Sequence, residues 1–322
     1  MIVVTGGAGF IGSNLVRMLN EKGRGDILVV DNLQNADKCR NLSGLDIMDF
    51  MDKRTFSEGL SQGNFNYEDI DVIFHQGACS DTMEYNGRYM MENNYEYSKQ
   101  LLHFALERKV PFIYASSAST YGSGEHGFKE QPQCEQALNV YAYSKLLFDR
   151  YVSKQLSFMR SQVVGLRYFN VFGPQENHKG KMASMVYQMY RQMQNSGKIK
   201  LYAGHGDIAD GEQKRDFVYV KDLVKINLFF FEQAKNTSGI FNGGTGEANS
   251  FNRLANAVKA HFGKGEIEYV PFPEVLVGKY QNYTQADTAK LLAVGYKGGF
   301  TALEEAVGEY CRFLDATDGY FG

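Results

Sequence analysis

Uninterrupted apolar runs of the roughly 18 residues needed to span a bilayer are missing from this 322-residue chain, so no transmembrane helix is expected. Neither sign of charge dominates. Thirty-four lysines and arginines are mixed with 37 aspartates and glutamates, a formal net charge of −3, which offers no footprint for nucleic acid or an anionic membrane. The four cysteines, Cys39, Cys79, Cys134 and Cys311, lack Cys-x-x-Cys spacing and a matching histidine pair. Neither a zinc site nor a disulfide framework is indicated, and they read as free thiols. Repeats and low-complexity tracts are absent. A strand begins almost at Met1 with no room for a signal peptide, so a cytoplasmic location is expected. What the chain does have is apolar content, 43% of residues, enough at this length for a large core in one large or two interlocked domains.

Ile2 to Thr5 is a short β-branched run followed by Gly6-Gly-Ala-Gly9-Phe10-Ile11-Gly12 and then by helical periodicity from Ser13 to Asn20. Strand, glycine turn and helix in that order make a phosphate cradle, with a pyrophosphate expected at the helix N-terminus. A second buried strand, Ile27 to Val30, ends in Asp31 about twenty residues on, where a dinucleotide's ribose should lie. Asp31 would accept from a 2′-hydroxyl but repel a 2′-phosphate, whereas Asn32, Lys38 and Lys53 could lean over that phosphate. On this chemistry NAD and NADP stand about even.

Asp71 to Ala78 reads as a buried strand opening into small residues, with Gln76, Gly77, Ala78, Cys79 and Ser80 lining the cofactor. His75 has no second ligand close in sequence and reads as a structural histidine. Arg88 to Arg108 reads as one long helix carrying Asn93 and Asn94, whose amides face water or serve a buried hydrogen bond. Pro111 to Ser117 is a strand that delivers the Ser117 hydroxyl to the ligand crevice. Residues 123–138 form a polar loop. Asn139-Val-Tyr141-Ala-Tyr143-Ser-Lys145 then places a phenol and an amine four residues apart on one helix face, with Tyr143 pointing elsewhere. A nearby ammonium favours phenolate, which suits Tyr141 to taking a proton from an alcohol.

Gly-x-x-Gly-x-x-Gly, Ser116-Ser117 ahead of Tyr121-Gly122, Tyr141-x-x-x-Lys145 and Arg167-Tyr-Phe-Asn-Val-Phe-Gly-Pro174 occur here in that order. Across essentially the whole chain this resembles the extended short-chain dehydrogenases/reductases, the nucleotide-sugar epimerases and dehydratases. Met90-Met-Glu-Asn-Asn94, Glu176-Asn-His-Lys179-Gly-Lys181-Met-Ala-Ser184 and Tyr280-Gln-Asn-Tyr-Thr-Gln-Ala-Asp287 resemble the ADP-L-glycero-D-manno-heptose 6-epimerase family. The resemblance implies NADP as cofactor, with NAD the alternative, held by Phe10, Ile11, Asp31, Asn32, Lys38, Lys53, Gln76 to Ser80, Asn93, Lys145 and Val171. It implies Tyr141 and Lys179 as the catalytic pair, assisted by Ser117, and substrate contacts at Asn170, Lys181, Gln188, Tyr202, Ala203, Gly204, His205, Arg215 and Tyr280. Lys181 and Gln188 stand where a small residue and a histidine are more usual, and 206–213 is longer than usual. A homo-oligomer, a homopentamer in that family, is implied as well.

The expected fold is α/β: a doubly wound parallel (Rossmann) sheet over residues 1–170, rejoined by about 216–245, with a smaller α/β substrate-binding domain over 171–322. In the second half Met182, Met185, Met189 and Met193 lie at helical spacing and read as packing rather than a sugar surface. Arg215 suits a diphosphate. The expected activity is epimerisation at C6 of the heptose of an ADP-heptose, with Lys145 holding the nicotinamide ribose and lowering the Tyr141 pKa. The alternatives are a 4-epimerase or 4,6-dehydratase of a UDP- or dTDP-hexose, and a non-catalytic dinucleotide-binding protein. Ala-Ser-Thr after Ser117, where dehydratases carry Asp-Glu, argues against dehydration.

Overall fold

Apolar runs without polar alternation, such as Ile2–Thr5 and Ile27–Asp31, suit strands covered on both faces, and the computed structural model, which describes residues 1–65, 69–274 and 281–321, places them at the centre of a sheet. The elements in chain order are β1 (Ile2–Thr5), α1 (Phe10–Glu21), β2 (Ile27–Asp31), β3 (Asp49–Asp52), α2 (Lys53–Ser61), β4 (Val72–His75) and α3 (Gly87–Met91). A π-helical turn (Glu92–Glu96) leads into α4 (Tyr97–Glu107), followed by β5 (Phe112–Ser117), α5 (Val140–Ser153), β6 (Val163–Tyr168) and β7 (Asn170–Phe172). Then come α6 (Met185–Ser196), β8 (Lys198–Tyr202), β9 (Lys214–Arg215), β10 (Phe217–Tyr219), α7 (Val220–Glu232) and β11 (Gly239–Gly243). Last are β12 (Asn249–Ser250), α8 (Phe251–Phe262), β13 (Glu266–Val270), α9 (Ala289–Ala293) and α10 (Leu303–Thr317).

Seven strands form one parallel sheet in the order β11-β6-β5-β4-β1-β2-β3, a doubly wound α/β arrangement whose direction of growth reverses between β1 and β4. Successive residues of β1 feed opposite faces. Ile2 and Val4 join a core with Leu15, Val16 and Leu19 of α1 and Leu223 of α7, while Val3 joins one with Phe56, Leu101 and Phe148 of α2, α4 and α5. Beyond β6 the chain makes short pairs outside that sheet: β7 with β10, β9 with β12, and β8 with β13. Met189 and Met193 of α6 are buried in the core with Leu254 and Val258 of α8 and Met185 packs partly buried against it, so these three are packing, whereas Met182 lies in the turn before the helix. The side chain of Ser250 caps α8 by accepting from the Arg253 amide.

The expected single helix over 88–108 is interrupted in its hydrogen bonding. Glu92–Glu96 is one π turn between α3 and α4, which inserts a residue without breaking the rod. Within the polar loop, Pro132–Cys134 makes a short 3-10 turn. Among the described residues no helix is long and apolar enough to cross a membrane. No group of three His, Cys, Asp or Glu side chains there is arranged to hold a metal ion, and the four cysteines are unpaired.

Candidate active site

Two glycines of the first turn are demanded by contact. Gly6 has φ 71°, and a Cβ on it would lie 2.4 Å from the Gly77 nitrogen, while one on Gly12 would lie 2.1 Å from the Gly6 oxygen. Gly9 is the N-cap of α1, so the helix presents its first N–H groups to the cradle without a side chain over them. Asp31, at the end of β2, is buried. Its Oδ2 accepts from the Ala8 amide at 2.9 Å, and its Oδ1 accepts from the Asn32 amide at 2.7 Å and from Lys38 Nζ at 2.9 Å. Lys53 donates to Asn93 Oδ1 at 2.6 Å and lies over the Tyr97 ring; burial lowers its pKa, against the pull of Asp31. A cradle closed to any Cβ, a bare helix N-terminus and a polar ribose end fit a nicotinamide dinucleotide.

The segment after β4 lies beside this cradle and is held by two anchors. Gln76 accepts from the Tyr168 hydroxyl at 2.9 Å and donates to Asn227 at 3.2 Å. Asn94, fully buried in the π turn, accepts from the Cys79 amide at 2.8 Å and donates to the Cys79 carbonyl at 2.9 Å, pairing with that peptide as a neighbouring strand would. His75 is a structural histidine. Its Nε2 lies 2.8 Å from Ser98 Oγ, which itself donates to the Asn94 carbonyl, so the ring carries its proton on Nε2, and Nδ1, at 2.6 Å, accepts from Thr5.

Helix α5 supplies Tyr141 and Lys145, and it starts at Asn139, whose side chain caps the Ala142 amide. Burial raises the Tyr141 pKa, and the Ser117 hydroxyl beside it pulls the other way. Ser117 Oγ also accepts from the Ser119 amide and hydroxyl. Lys145 Nζ donates to the Ala115 carbonyl at 2.8 Å, and burial brings the ammonium down to about 8 against the opposing charge of Asp149. Tyr143 is 49% exposed, on the other side of the helix.

Lys179 belongs to a short 3-10 stretch, Asn177–Met182, kinked at Gly180. Its ammonium lies 5.3 Å from the Phe10 ring centroid, against the first turn of α1, and burial lowers its pKa while the carboxylate of Glu176 acts in the opposite sense. Glu176 is fully buried and accepts from the amide and hydroxyl of Ser184, which fixes the base of this loop. Val171 is half-buried on β7 and Asn170, beside it, is exposed. Arg215 is buried, stacks over Phe251 and donates to the Lys214 carbonyl. Tyr202 and His205 each pack against Phe272, His205 in a parallel stack at 5.1 Å; Ala203 and Gly204 lie between them, and Gly204 donates to Asp210. Gln188 donates to the carbonyls of Lys181 and Ala183, while the Lys181 side chain is exposed. Tyr280 lies outside the described residues.

Three asparagines do more here than the sequence discloses. Asn94 was visible as a polar residue at a helix-interior position. Asn14 carried the same signal, four residues after Phe10 on the buried face of α1, and it donates to the carbonyls of Phe10 at 2.8 Å and Pro174 at 2.9 Å. Asn41 follows no periodic pattern, so only the fold brings it to the glycine loop.

Residues 2–244 match the NAD dependent epimerase/dehydratase family. The structure superposes on ADP-L-glycero-D-manno-heptose-6-epimerase from Helicobacter pylori with a TM-score of 0.84 at 33% identity, over 98% of this chain and 96% of that one. It superposes on the UDP-glucose 4-epimerase of Thermotoga maritima, bound to UDP-glucose, with a TM-score of 0.80 at 27% identity, over 98% and 99% of the two chains. For the UDP-glucose 4-epimerase of Thermus thermophilus in complex with NAD the TM-score is 0.79 at 26% identity, again over 98% and 99%. With its cofactor cradle, its sheet order and three quarters of its length in agreement, this chain belongs to the NAD dependent epimerase/dehydratase family.

Proposed function

We propose that the protein epimerises C6 of the heptose in ADP-D-glycero-D-manno-heptose, giving the L-glycero form by transient oxidation and supplying heptose for a lipopolysaccharide inner core. The observation that supports this reading is the half-buried Lys179 amine against Phe10, a candidate second acid/base in addition to Tyr141 beside Ser117. An acid/base on each side of a carbinol carbon lets each configuration of the hydroxyl exchange its proton with its own partner. The 33% identity with the H. pylori heptose epimerase supports the choice of sugar.

Gly6, Gly9, Phe10, Ile11 and Gly12 would hold the dinucleotide pyrophosphate, with Asp31, Asn32, Lys38 and Lys53 at the adenosine ribose and Gln76 to Ser80, Asn93, Lys145 and Val171 along its length. Asp31 already accepts from Ala8, Asn32 and Lys38, so less of its acceptor capacity remains for a 2′-hydroxyl, while the Lys38 ammonium stands beside it where a 2′-phosphate would lie, which supports NADP over NAD. When bound, the nicotinamide would supply hydride acceptance from the carbinol carbon and return of the same hydride to the other face of the ketone once the sugar end has turned. Tyr141 serves one configuration of the hydroxyl and Lys179 the other, each taking the proton on oxidation or giving it back on reduction, while Ser117 hydrogen-bonds the oxygen. Arg215 grips the diphosphate, with Asn170, Lys181, Gln188, Tyr202 to His205 and Tyr280 around the rest of the substrate.

The test is stereochemical. Incubation with ADP-D-glycero-D-manno-heptose is expected to yield the L-glycero product by NMR; no product from folded, cofactor-loaded protein would overturn the assignment. UDP-glucose in parallel decides the 4-epimerase reading that the Thermotoga and Thermus relatives raise. Mass spectrometry of the cofactor released on denaturation decides between NADP and NAD.

A further inference from the structure

The loop that carries Lys179 is joined to the phosphate cradle by buried side chains. Asn41 is fully buried, and its amide nitrogen lies 2.9 Å from the Ala8 carbonyl, 3.1 Å from His178 Nδ1 and 3.3 Å from the Gln175 carbonyl. One side chain therefore spans from the glycine turn to both ends of the segment leading into Lys179. The link is returned by Gln175, whose side-chain amide donates to the Asn41 carbonyl at 3.1 Å. Asn14 makes a parallel bridge one residue earlier, from Phe10 in the first turn of α1 to Pro174. Phe10 itself lies beneath the Lys179 ammonium. Two further features indicate that the segment is held in place from outside. Gln175 is a non-glycine residue at φ 73°, a conformation that its surroundings must enforce, and Asn35 captures the His178 carbonyl at 3.0 Å. For Nδ1 of His178 to accept from Asn41 the ring must be neutral, and burial together with the charges of Lys38 and Lys179 takes it down to about 4.

We propose that Asn41 is a positioning residue through which the dinucleotide cradle orders the Lys179 loop, so that an occupied cradle sets the second proton carrier in place. A pyrophosphate bound at the N-terminus of α1 restrains residues 8–12, whose carbonyls are the ones that Asn41 and Asn14 grip. Restraint then passes through Asn41 to residues 174–179, and by linkage an ordered loop tightens the hold on the dinucleotide by the same factor. The catalytic consequence rests on the role proposed above for Lys179; the coupling itself does not.

Hydrogen exchange read by mass spectrometry on the full chain, with and without the dinucleotide that binds more tightly, NADP+ or NAD+, separates the two. In the wild type, cofactor is expected to slow exchange about tenfold in peptides from both 6–16 and 174–182. In Asn41→Ala the first peptide keeps its protection and the second loses it. Asn41→Ser, polar but too short to span from the glycine turn to the loop, is expected to do the same and is the fallback should the alanine variant not fold. Turnover then falls about a hundredfold in kcat, with the sugar KM within about twofold, because the loop is misplaced and not lost. Equal protection of 174–182 in wild type and variants, or none there in the wild type, would overturn the coupling whatever the sugar. Failure of the wild type to turn over ADP-heptose would instead sink the proposed function and leave the exchange result standing.

Discussion

Desolvation acts in opposite directions on the two candidate proton carriers: it keeps the Tyr141 phenol protonated and pushes the Lys179 ammonium toward its neutral amine. A lysine can act as a base only when deprotonated, so the reaction direction that Lys179 initiates should speed up as pH rises and level off below 10.5, the ordinary lysine value. A pH–rate profile in each direction checks this, and Lys179→Met should abolish the rise in one direction while lowering kcat about 10²–10⁴-fold. Tyr141→Phe should lose turnover to a similar extent while cofactor binding, followed by fluorescence, persists. A different residue makes the fold itself pH-sensitive. Burial holds His75 well below its ordinary value of 6.5, so the unfolded chain binds its proton first as pH falls. The stability it confers is complete above 6.5 and drains away below, which urea midpoints between pH 4 and 7 should show. His75→Gln should flatten that slope, and His178, held down to about 4, accounts for part of what remains.

At the scale of elements, the π turn shows how far a periodic pattern can be read. The run from Arg88 to Arg108 has helical spacing throughout, and an inserted residue that keeps the chain helical leaves no mark in composition. Its effect is spatial. The wide turn sets Asn93 toward Lys53 and Asn94 toward the Cys79 peptide, so one insertion serves both the ribose end and the segment after β4. Asn94→Ala would strand the N–H and C=O of Cys79 in a partly buried position, with an expected loss of about 1–3 kcal/mol in urea unfolding and weaker cofactor binding. Asn94→Asp keeps the acceptor for the Cys79 amide and loses the donor, so it should recover part of the affinity. The cradle, by contrast, was legible residue by residue, because Gly6 and Gly12 answer to contacts that any Cβ would violate.

For the whole molecule, the order of the parallel strands follows from the alternation of strand and helix, whereas the surroundings of the site come from chain segments far apart. Lys179 meets α1 across some 170 positions, and Tyr202 and Arg215 lie on β8 and β9, whose partner strands β13 and β12 no period announces. The buried charge beneath α5 is of this kind. Arg167 of β6 is 1% exposed and donates to Asp149 of α5 at 2.8 Å and to Glu135 at 2.6 Å. Asp149 also accepts from Tyr114 and Ser116 of β5, and Tyr121, beneath the guanidinium, donates to Asn242 of β11. One cation thus joins the helix of Tyr141 and Lys145 to three adjacent strands. Arg167→Met removes the charge that makes two carboxylates tolerable there, and a loss of about 3–5 kcal/mol is expected. Asp149→Asn leaves a cation that still has Glu135 and should cost less. In the double variant neither charge is stranded, so its loss should fall short of the sum of the singles by roughly 0.5–3 kcal/mol in a urea-based double-mutant cycle. Strict additivity would mean that the two side chains stabilise the fold independently, and the network would then be no more than a set of neighbours.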